Sequence, residues 1–168
     1  MEKKEFTITE DLLASKGQRF ANYIIDVIII YILIIIVTFV VTIVSVALDS
    51  TEIIERLKNI GTLETYLIFF SIMIPYYTLF EAKSSRTVGK FISKTMVVME
   101  DGSKPDLGTS LKRTLCRIIP FEIFSFLSSD GRGWHDTIPN IYVVKKEDFE
   151  RERELFYSFE EIGTSQES

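Results

Sequence analysis

Three polar residues at the start of a long apolar run have the types and spacing for ion or proton chemistry. Arg19, Asn22 and Asp26 are separated by three and four residues, so a helix would place them on one face. A carboxylate at the centre of a bilayer is unfavourable by roughly 2.5–3.5 kcal/mol, so this face should point at protein or water. Asp26 could bind a proton or a cation there, with its pKa set by burial and by a nearby arginine.

The same residues also fit a structural role. Asp26 could attach the first apolar helix to a cytoplasmic layer through Arg86, Arg113 or Arg117, while Arg19 extends to lipid phosphates. We favour this interpretation of Asp26, because neither apolar segment carries a carboxylate in its middle that would continue a proton relay.

A second polar cluster follows Asp130-Gly131 and includes His135, which could titrate near neutral pH. A His–Asp pair without a nucleophile or a second metal ligand more often forms a hydrogen-bonded latch. Glu122, in an aromatic stretch, would need a basic partner or a proton if it were buried. The candidates for a buried polar network, or for proton and cation binding, are Arg19, Asn22, Asp26, Arg113, Arg117, Glu122, Arg132, His135 and Asp136.

Other chemistry finds little support in the sequence. One histidine and one cysteine do not supply the ligand set of a zinc site. Gly89-Lys90 lacks the earlier glycine and the following Ser or Thr of a phosphate loop. We therefore expect no metal, no cofactor and no enzymatic activity. The basic residues predicted to contact phosphates of anionic lipids are Lys83, Arg86, Lys90, Lys94 and Lys112.

Two apolar segments are predicted to position these side chains. Val27–Leu48 runs for 22 residues without a charge, enough as a helix to cross a hydrocarbon core of about 30 Å and longer than the apolar region of a cleaved signal peptide. The second segment, Leu63–Phe80, contains Pro75, which a membrane helix tolerates. We predict an α-helical integral membrane protein with two transmembrane helices, at about 21–48 and 62–80.

The distribution of charge predicts the orientation. Lys and Arg are concentrated before the first span and after the second, so the N-terminal segment 1–20 is predicted to be cytoplasmic. The chain of 168 residues has a net charge of −5, and residues 147–168 carry eight acids and two arginines. This acidic tail is expected to be a solvated helix or to fold on a soluble partner. The acidity argues against nucleic acid as a partner.

The segment 106–128 could be interfacial, re-entrant or a short third span. Its leucines recur at helical spacing beside basic residues, with Asp106 as the N-cap, which is typical of a helix in the membrane surface. A third span over 115–128 would be only about 21 Å long and would place the C-terminus outside. We favour an interfacial or re-entrant segment, with amphipathic cytoplasmic helices and a small β-strand pair at about 95–100 and 141–146.

Several motifs follow one another in a recognisable order. They are GQRFANYIID at 17–26, TVGK at 87–90, a valine-rich strand at 96–99 before Asp101-Gly102, the segment 107–113, and RGWHD at 132–136. Over about residues 15–146 the chain resembles the RDD family of bacterial membrane proteins. Trp134, where a smaller residue is usual, and the acidic tail depart from the family pattern.

The resemblance implies that Arg19, Asp26 and Asp136 are the three residues that name the family. We divide the chain into the cytoplasmic segment 1–20, an RDD-like membrane domain at 21–146 and the acidic tail at 147–168. The resemblance also implies a proposed role in transport, including cation/proton antiport for some members.

We therefore expect a small multi-pass protein of the bacterial inner membrane that serves as a transport or transport-associated subunit. Two spans enclose no pathway by themselves, so it would act as a homo-oligomer or with a membrane-protein partner. The alternative is a non-catalytic scaffold or assembly protein whose acidic tail recruits a soluble partner.

Overall fold

The computed structural model describes residues 6–119 and 133–166. Its helices are a 3₁₀ turn at Glu10–Leu12, α1 (Lys16–Ala47), α2 (Thr51–Lys58), α3 (Thr62–Ser84), α4 (Val88–Ile92), α5 (Leu107–Cys116), α6 (Trp134–Thr137) and α7 (Lys146–Gln166). Its strands are β1 (Thr95–Met99) and β2 (Ile141–Lys145). The predicted helical fold with a small strand pair is confirmed.

Two helices, α1 and α3, are long and apolar enough to cross a membrane. α1 begins at a capping box, in which Ser15 and Gln18 satisfy each other's backbone N–H groups. Only 6% of its most apolar 18-residue window is buried, whereas the core helix of a soluble protein would be mostly buried. α1 and α3 are therefore candidate membrane spans.

Contact between α1 and α3 is apolar and well packed in one region. Ile30 of α1 is fully buried against Met73, Tyr76 and Tyr77 of α3. Beyond Ile30, towards the C-terminus of α1, most large apolar side chains are exposed. The α1–α3 pair is thus fixed at the end where α1 begins and α3 ends.

The two strands assemble at that same end. β1 and β2 are antiparallel, with Val97 opposite Val143, and the segment before α1 joins β2 through a bridge between Leu13 and Val144. β1 follows α3 after the short helix α4, so it lies near the end of α3. The segment before α1 and the strand β2, which leads into the C-terminal helix, therefore both lie at that end of the helix pair. We call this end, which includes the strands, α4 and α6, the polar end.

Helix α5 runs back along α3 in the opposite direction. Going up α5, Arg113 contacts Glu81, Thr114 contacts Thr78, and Arg117 lies over the ring of Tyr77. The chain runs away from the polar end along α5, and α6 again lies beside Arg113, which bonds Asp136. Of the segment predicted to be interfacial or re-entrant, residues 120–128 lie outside the described residues.

Helix α5 is amphipathic in an unusual sense, because its buried face is polar. Ser110, Arg113 and Thr114 are buried. The apolar side chains of this segment form an exposed stripe, whose members are Leu107, Leu111, Leu115 and Ile119. An apolar stripe facing outwards and an arginine facing inwards suit a helix whose surroundings are lipid rather than water.

The acidic tail forms α7, which begins directly after β2. Its first turns are anchored, since Phe149 is fully buried and packs edge-to-face on Phe6 at a centroid distance of 5.6 Å. Further along, Leu155, Tyr157 and Phe159 are exposed. The tail is therefore helical, and its recruitment of a soluble partner stays a prediction.

Candidate functional site

The carboxylate of Asp26 is 1% exposed and accepts hydrogen bonds from three neutral donors. Oδ1 accepts from Tyr76 Oη at 2.8 Å and from Gly89 N at 2.8 Å, and Oδ2 accepts from Thr87 Oγ1 at 2.6 Å. Tyr76 is on α3, and the other two donors belong to the first turn of α4 and its N-cap. Asp26 therefore joins α1 to both α3 and α4. We call these four residues the Asp26 site.

Glycine is required at position 89 for this arrangement. A Cβ atom added there would lie 2.5 Å from the backbone oxygen of Asn22, far inside van der Waals contact. The absence of a side chain lets α4 approach α1 closely enough for Gly89 N to reach Asp26.

The predicted arginine partner of Asp26 is wrong. Arg86 donates to backbone carbonyl oxygens around the end of α4 and lies over the ring of Phe91. The two arginines of the α5 segment contact Glu81 instead. Arg19 does not extend to lipid phosphates either, because its Nη1 donates to Asp136 Oδ2 at 2.9 Å.

Glu81, fully buried near the end of α3, collects three cations on one oxygen. Its Oε1 lies 2.6 Å from Arg113 Nη1, 3.0 Å from Lys90 Nζ and 3.9 Å from Arg117 Nη2. Lys90 also lies 3.4 Å from Thr87 Oγ1, which connects this group to the Asp26 site. Burial is the largest influence on the pKa of Lys90 and lowers it, against the opposing effect of the Glu81 charge.

Asp136, on α6, is the second carboxylate held by cations. Its Oδ1 accepts from Arg113 at 2.5 and 2.9 Å, its Oδ2 accepts from Arg19, and His135 Nε2 lies 3.4 Å away. Burial would raise the pKa of Asp136, but the charges of Arg113, His135 and Arg19 outweigh it and hold the pKa far below its usual range. Asp136 is therefore ionised at neutral pH.

Arg113 connects the two carboxylates. It is 1% exposed and bonds Glu81 with one nitrogen and Asp136 with two others. Burial would lower the pKa of Arg113, but the charges of Asp136 and Glu81 outweigh it and raise the pKa. We call the connected set the ion-pair cluster; its members are Arg19, Glu81, Lys90, Arg113, Arg117 and Asp136.

A small cavity lies between the Asp26 site and the ion-pair cluster. Its volume is about 50 Å³. Two buried polar atoms, Asn22 Oδ1 and Arg117 Nε, belong to residues of its wall and have no hydrogen-bond partner among the described residues. The wall is formed by Arg19, Asn22, Tyr23, Asp26, Lys90, Arg113, Arg117, His135, Asp136 and Val143. We call this cavity the chamber.

Seven of the nine predicted network residues surround this chamber, and the structure brings together positions as far apart as Arg19 and Asp136. Glu122 and Arg132 lie outside the described residues. Within the described ranges no three side chains are grouped as metal ligands.

One of the predicted lipid contacts is wrong and another has a different role. Lys90 is 3% exposed and binds Glu81, so it cannot reach a lipid headgroup. Arg86 is half-buried against carbonyl oxygens. Lys83, Lys94 and Lys112 are exposed, and Lys94 lies 2.7 Å from Glu147.

Sequence reasoning missed Glu81, Tyr76 and Thr87. Glu81 directly follows the apolar segment Leu63–Phe80, so the sequence indicates a solvated charge at the end of that helix. Its burial follows from the return of α5, which no local pattern encodes. Thr87 had a usable signal, because a Thr before a short apolar-and-glycine segment is a common N-cap.

One family model matches this chain. The model of the RDD family matches residues 13–140, which is most of the chain and includes every residue of the chamber wall except Val143. This chain belongs to the RDD family. No curated protein and no solved structure matches it.

Membership gives the contacts of Arg19, Asp26 and Asp136 a common context. In this RDD protein, Arg19 pairs with Asp136 across the polar end, while Asp26, two turns further along the same face of α1, is bound by neutral donors. The RDD family is associated with membranes, in agreement with the two candidate spans.

Proposed function

We propose that this RDD protein is a subunit of a transport assembly in the bacterial cytoplasmic membrane, with α1 and α3 as its spans. The observation that carries the proposal is the chamber, which lies beside the first turns of the candidate span α1 and is lined by ionisable groups. Its wall includes buried polar atoms left without a partner among the described residues. Such atoms are unfavourable unless a water or an ion completes them, so this is a place to receive a small ion.

The other half of the helix pair supports the need for further subunits. Towards the end of α1, apolar side chains such as Ile35 and Phe39 are exposed, and no buried charge continues from the chamber along the described part of α1 or α3. Two helices with apolar outer faces cannot enclose a polar path. We propose that a homo-oligomer or another membrane protein completes it, with the exposed apolar faces as the surfaces of assembly.

The test of transport is an ion-flux measurement on the reconstituted protein. Liposomes containing the full chain and a pH-sensitive dye receive gradients of sodium, potassium or chloride, and the expected result is a pH change that depends on the protein. Asp26→Asn should reduce it, because the substitution removes a charge from the chamber wall. Tyr76→Phe is the matched control, since it removes one hydrogen bond to Asp26 and leaves the carboxylate. No flux from the wild type under any gradient would refute transport.

The proposed orientation has the N-terminus and the polar end in the cytoplasm. Cys116 is buried, so a cysteine introduced at Lys58, after the first span, or at Lys112, on the polar end, can be labelled selectively. A maleimide that does not cross membranes should label Lys58→Cys and not Lys112→Cys in intact spheroplasts. The opposite pattern would reverse the orientation. With the polar end inside, Lys83 and Lys112 are available to phosphates of anionic lipids.

A second candidate function is a scaffold, and α7 favours it. Exposed Leu155, Tyr157 and Phe159 lie on an acidic helix, beside a groove of about 330 Å³ between Phe6 and the far part of α7. Because Phe149 is part of the buried core, the appropriate truncation removes residues 154–168 and keeps the anchor. The scaffold predicts that a soluble protein co-purifies with the full chain and not with this truncation. An identical set of co-purified proteins would refute it.

A further inference from the structure

The charges around the chamber do not balance. Among the described residues of the chamber and its ion-pair cluster, the cations are Arg19, Lys90, Arg113 and Arg117, and the carboxylates are Asp26, Glu81 and Asp136. Four positive charges therefore face three negative ones while His135 is neutral. A net buried charge is unfavourable, because low-dielectric surroundings strengthen the repulsion and remove the hydration that would offset it.

Arg117 is the cation with the least compensation. Its nearest carboxylate oxygen in the described chain is Glu81 Oε1, at 3.9 Å, and that oxygen already accepts from Arg113 and Lys90. Its guanidinium lies over the Tyr77 ring at 4.5 Å. Its Nε is buried without a hydrogen-bond partner in the described chain. Arg117 thus offers a desolvated N–H donor and a positive charge beside the chamber.

Asn22, another residue of the chamber wall, points to the same conclusion. It is 4% exposed, and its Nδ2 donates to Thr95 Oγ1 at 2.9 Å, which leaves Oδ1 without a partner. A threonine hydroxyl both donates and accepts, so a half-turn of the amide keeps the bond to Thr95 and presents Nδ2 to the chamber. Asn22 can therefore bind either a water or an anion.

We propose that the chamber binds a monatomic inorganic anion of chloride size, with Arg117 as its main ligand and Asn22 as a second ligand. A volume of about 50 Å³ holds one or two particles the size of water, each occupying about 30 Å³ in the liquid. This suits chloride with a bridging water. The anion brings the buried charge to zero and supplies the acceptor that Arg117 Nε lacks. A role for this anion as the substrate or coupling ion of the transport assembly rests on the proposed function.

The test measures binding and not flux, so that the two proposals fail separately. The full chain in detergent is titrated with sodium chloride in sodium gluconate at constant ionic strength and constant sodium, which holds screening fixed. The melting temperature of the wild type should rise with chloride and saturate, because a ligand of the folded state alone stabilises it. Isothermal titration with bromide in the same gluconate buffer should give a saturable heat.

Two arginine variants and one matched lysine variant locate the site. Arg117→Gln removes the excess charge and should weaken chloride binding at least about tenfold, since a hydrogen bond to an ion contributes about 1.5–3 kcal/mol. Arg117→Lys keeps the charge and should retain the saturable response. Lys112→Gln makes the same change of charge at an exposed position of α5 and should behave as the wild type. If Arg117→Gln does not fold, the bromide titration of the wild type and Arg117→Lys still decides the question.

Three results would overturn the inference. The first is a wild type that responds to neither chloride nor bromide, as expected if Lys90 is neutral and the charge is already balanced. The second is an Arg117→Gln variant with undiminished chloride binding. The third is stabilisation by sodium at constant chloride, which would make the occupant a cation. Chloride binding without flux would refute transport alone, and flux without chloride binding would refute the anion alone.

Discussion

The Asp26 site and the ion-pair cluster solve the same problem by different means. Asp26 and Asp136 are both 1% exposed. Asp26 accepts from a phenol, a hydroxyl and a backbone amide, whereas Asp136 accepts from two guanidinium groups and has a histidine beside it. The first site satisfies a buried carboxylate with neutral hydrogen-bond donors, and the second satisfies it with opposite charge.

The two sites should therefore respond differently to the loss of one partner side chain. Neutral donors can be lost one at a time, because the others still solvate the carboxylate. In the ion-pair cluster, Arg113 serves Glu81 and Asp136 together, so removing one side chain leaves two buried charges without their main partner.

Replacing Arg113 should be the most damaging change. Arg113→Met fills a similar volume but leaves Glu81 and Asp136 as under-compensated buried anions, at a cost of about 3–5 kcal/mol in the free energy of unfolding. The measurement is urea unfolding in detergent, followed by circular dichroism. A loss below about 1 kcal/mol would mean that the cluster contributes little and that the contrast is mistaken. Lys112→Met, one residue earlier and exposed, is the control.

Asp26→Asn should be clearly less damaging. The amide keeps one oxygen for Tyr76 and Gly89, and Thr87 can turn its hydroxyl to accept from the new NH₂ group. Loss of the charge in these hydrogen bonds should lower the free energy of unfolding by about 1.5–3 kcal/mol. A double-mutant cycle with Tyr76→Phe measures the coupling directly. A coupling of zero would show that the 2.8 Å contact between Tyr76 and Asp26 contributes nothing.

Gly89→Ala tests the backbone part of the Asp26 site. The new Cβ would meet the backbone oxygen of Asn22 at 2.5 Å, so α4 must move away from α1, and overpacking of this kind costs about 1–3 kcal/mol. In an unconstrained helix the same substitution would stabilise by about 1 kcal/mol. A stability equal to or above that of the wild type would contradict the close approach. Gly108→Ala, where only the Asp106 side chain is near, is the matched control.

The local parts of this molecule could be predicted from its sequence. The two long apolar helices, the two β-strands and the grouping of Arg19, Asn22 and Asp26 on one face follow from periodicity and spacing, which act within one element. Asp106 also caps α5 as predicted, accepting from Thr109 N at 2.8 Å.

The pairing of charges could not be predicted, because it depends on which elements meet. Three arginines were candidate partners of Asp26 in the sequence, and in the structure Asp26 accepts its hydrogen bonds from neutral donors instead. The deciding features are the close approach at Gly89 and the return of α5 along α3, which bring neutral donors to Asp26 and carry Arg113 to Glu81. Both are long-range and leave no periodic signal.

Acid should weaken the cluster through Asp136. Its pKa is held far below the usual range in the folded protein, whereas in the unfolded chain it returns to about 3.9. The unfolded state therefore binds the proton first, and the contribution of Asp136 to stability, full above about pH 4, falls as the pH drops further. The expected slope is about 1.4 kcal/mol per pH unit for this one group. Asp136→Asn should lack it, and a slope unchanged in that variant would assign acid sensitivity elsewhere.

The smallest effect is expected at an exposed salt bridge. The distance between its charged atoms is similar to those in the ion-pair cluster, but its surroundings are water. Lys94 Nζ lies 2.7 Å from Glu147 Oε1, yet both side chains are about 70% exposed. Water and salt screen such a pair, and holding two long side chains together offsets what attraction remains. Glu147→Gln should therefore leave the melting temperature unchanged at moderate salt. A loss approaching that of Arg113→Met would show that distance, and not burial, decides the value of an ion pair in this protein.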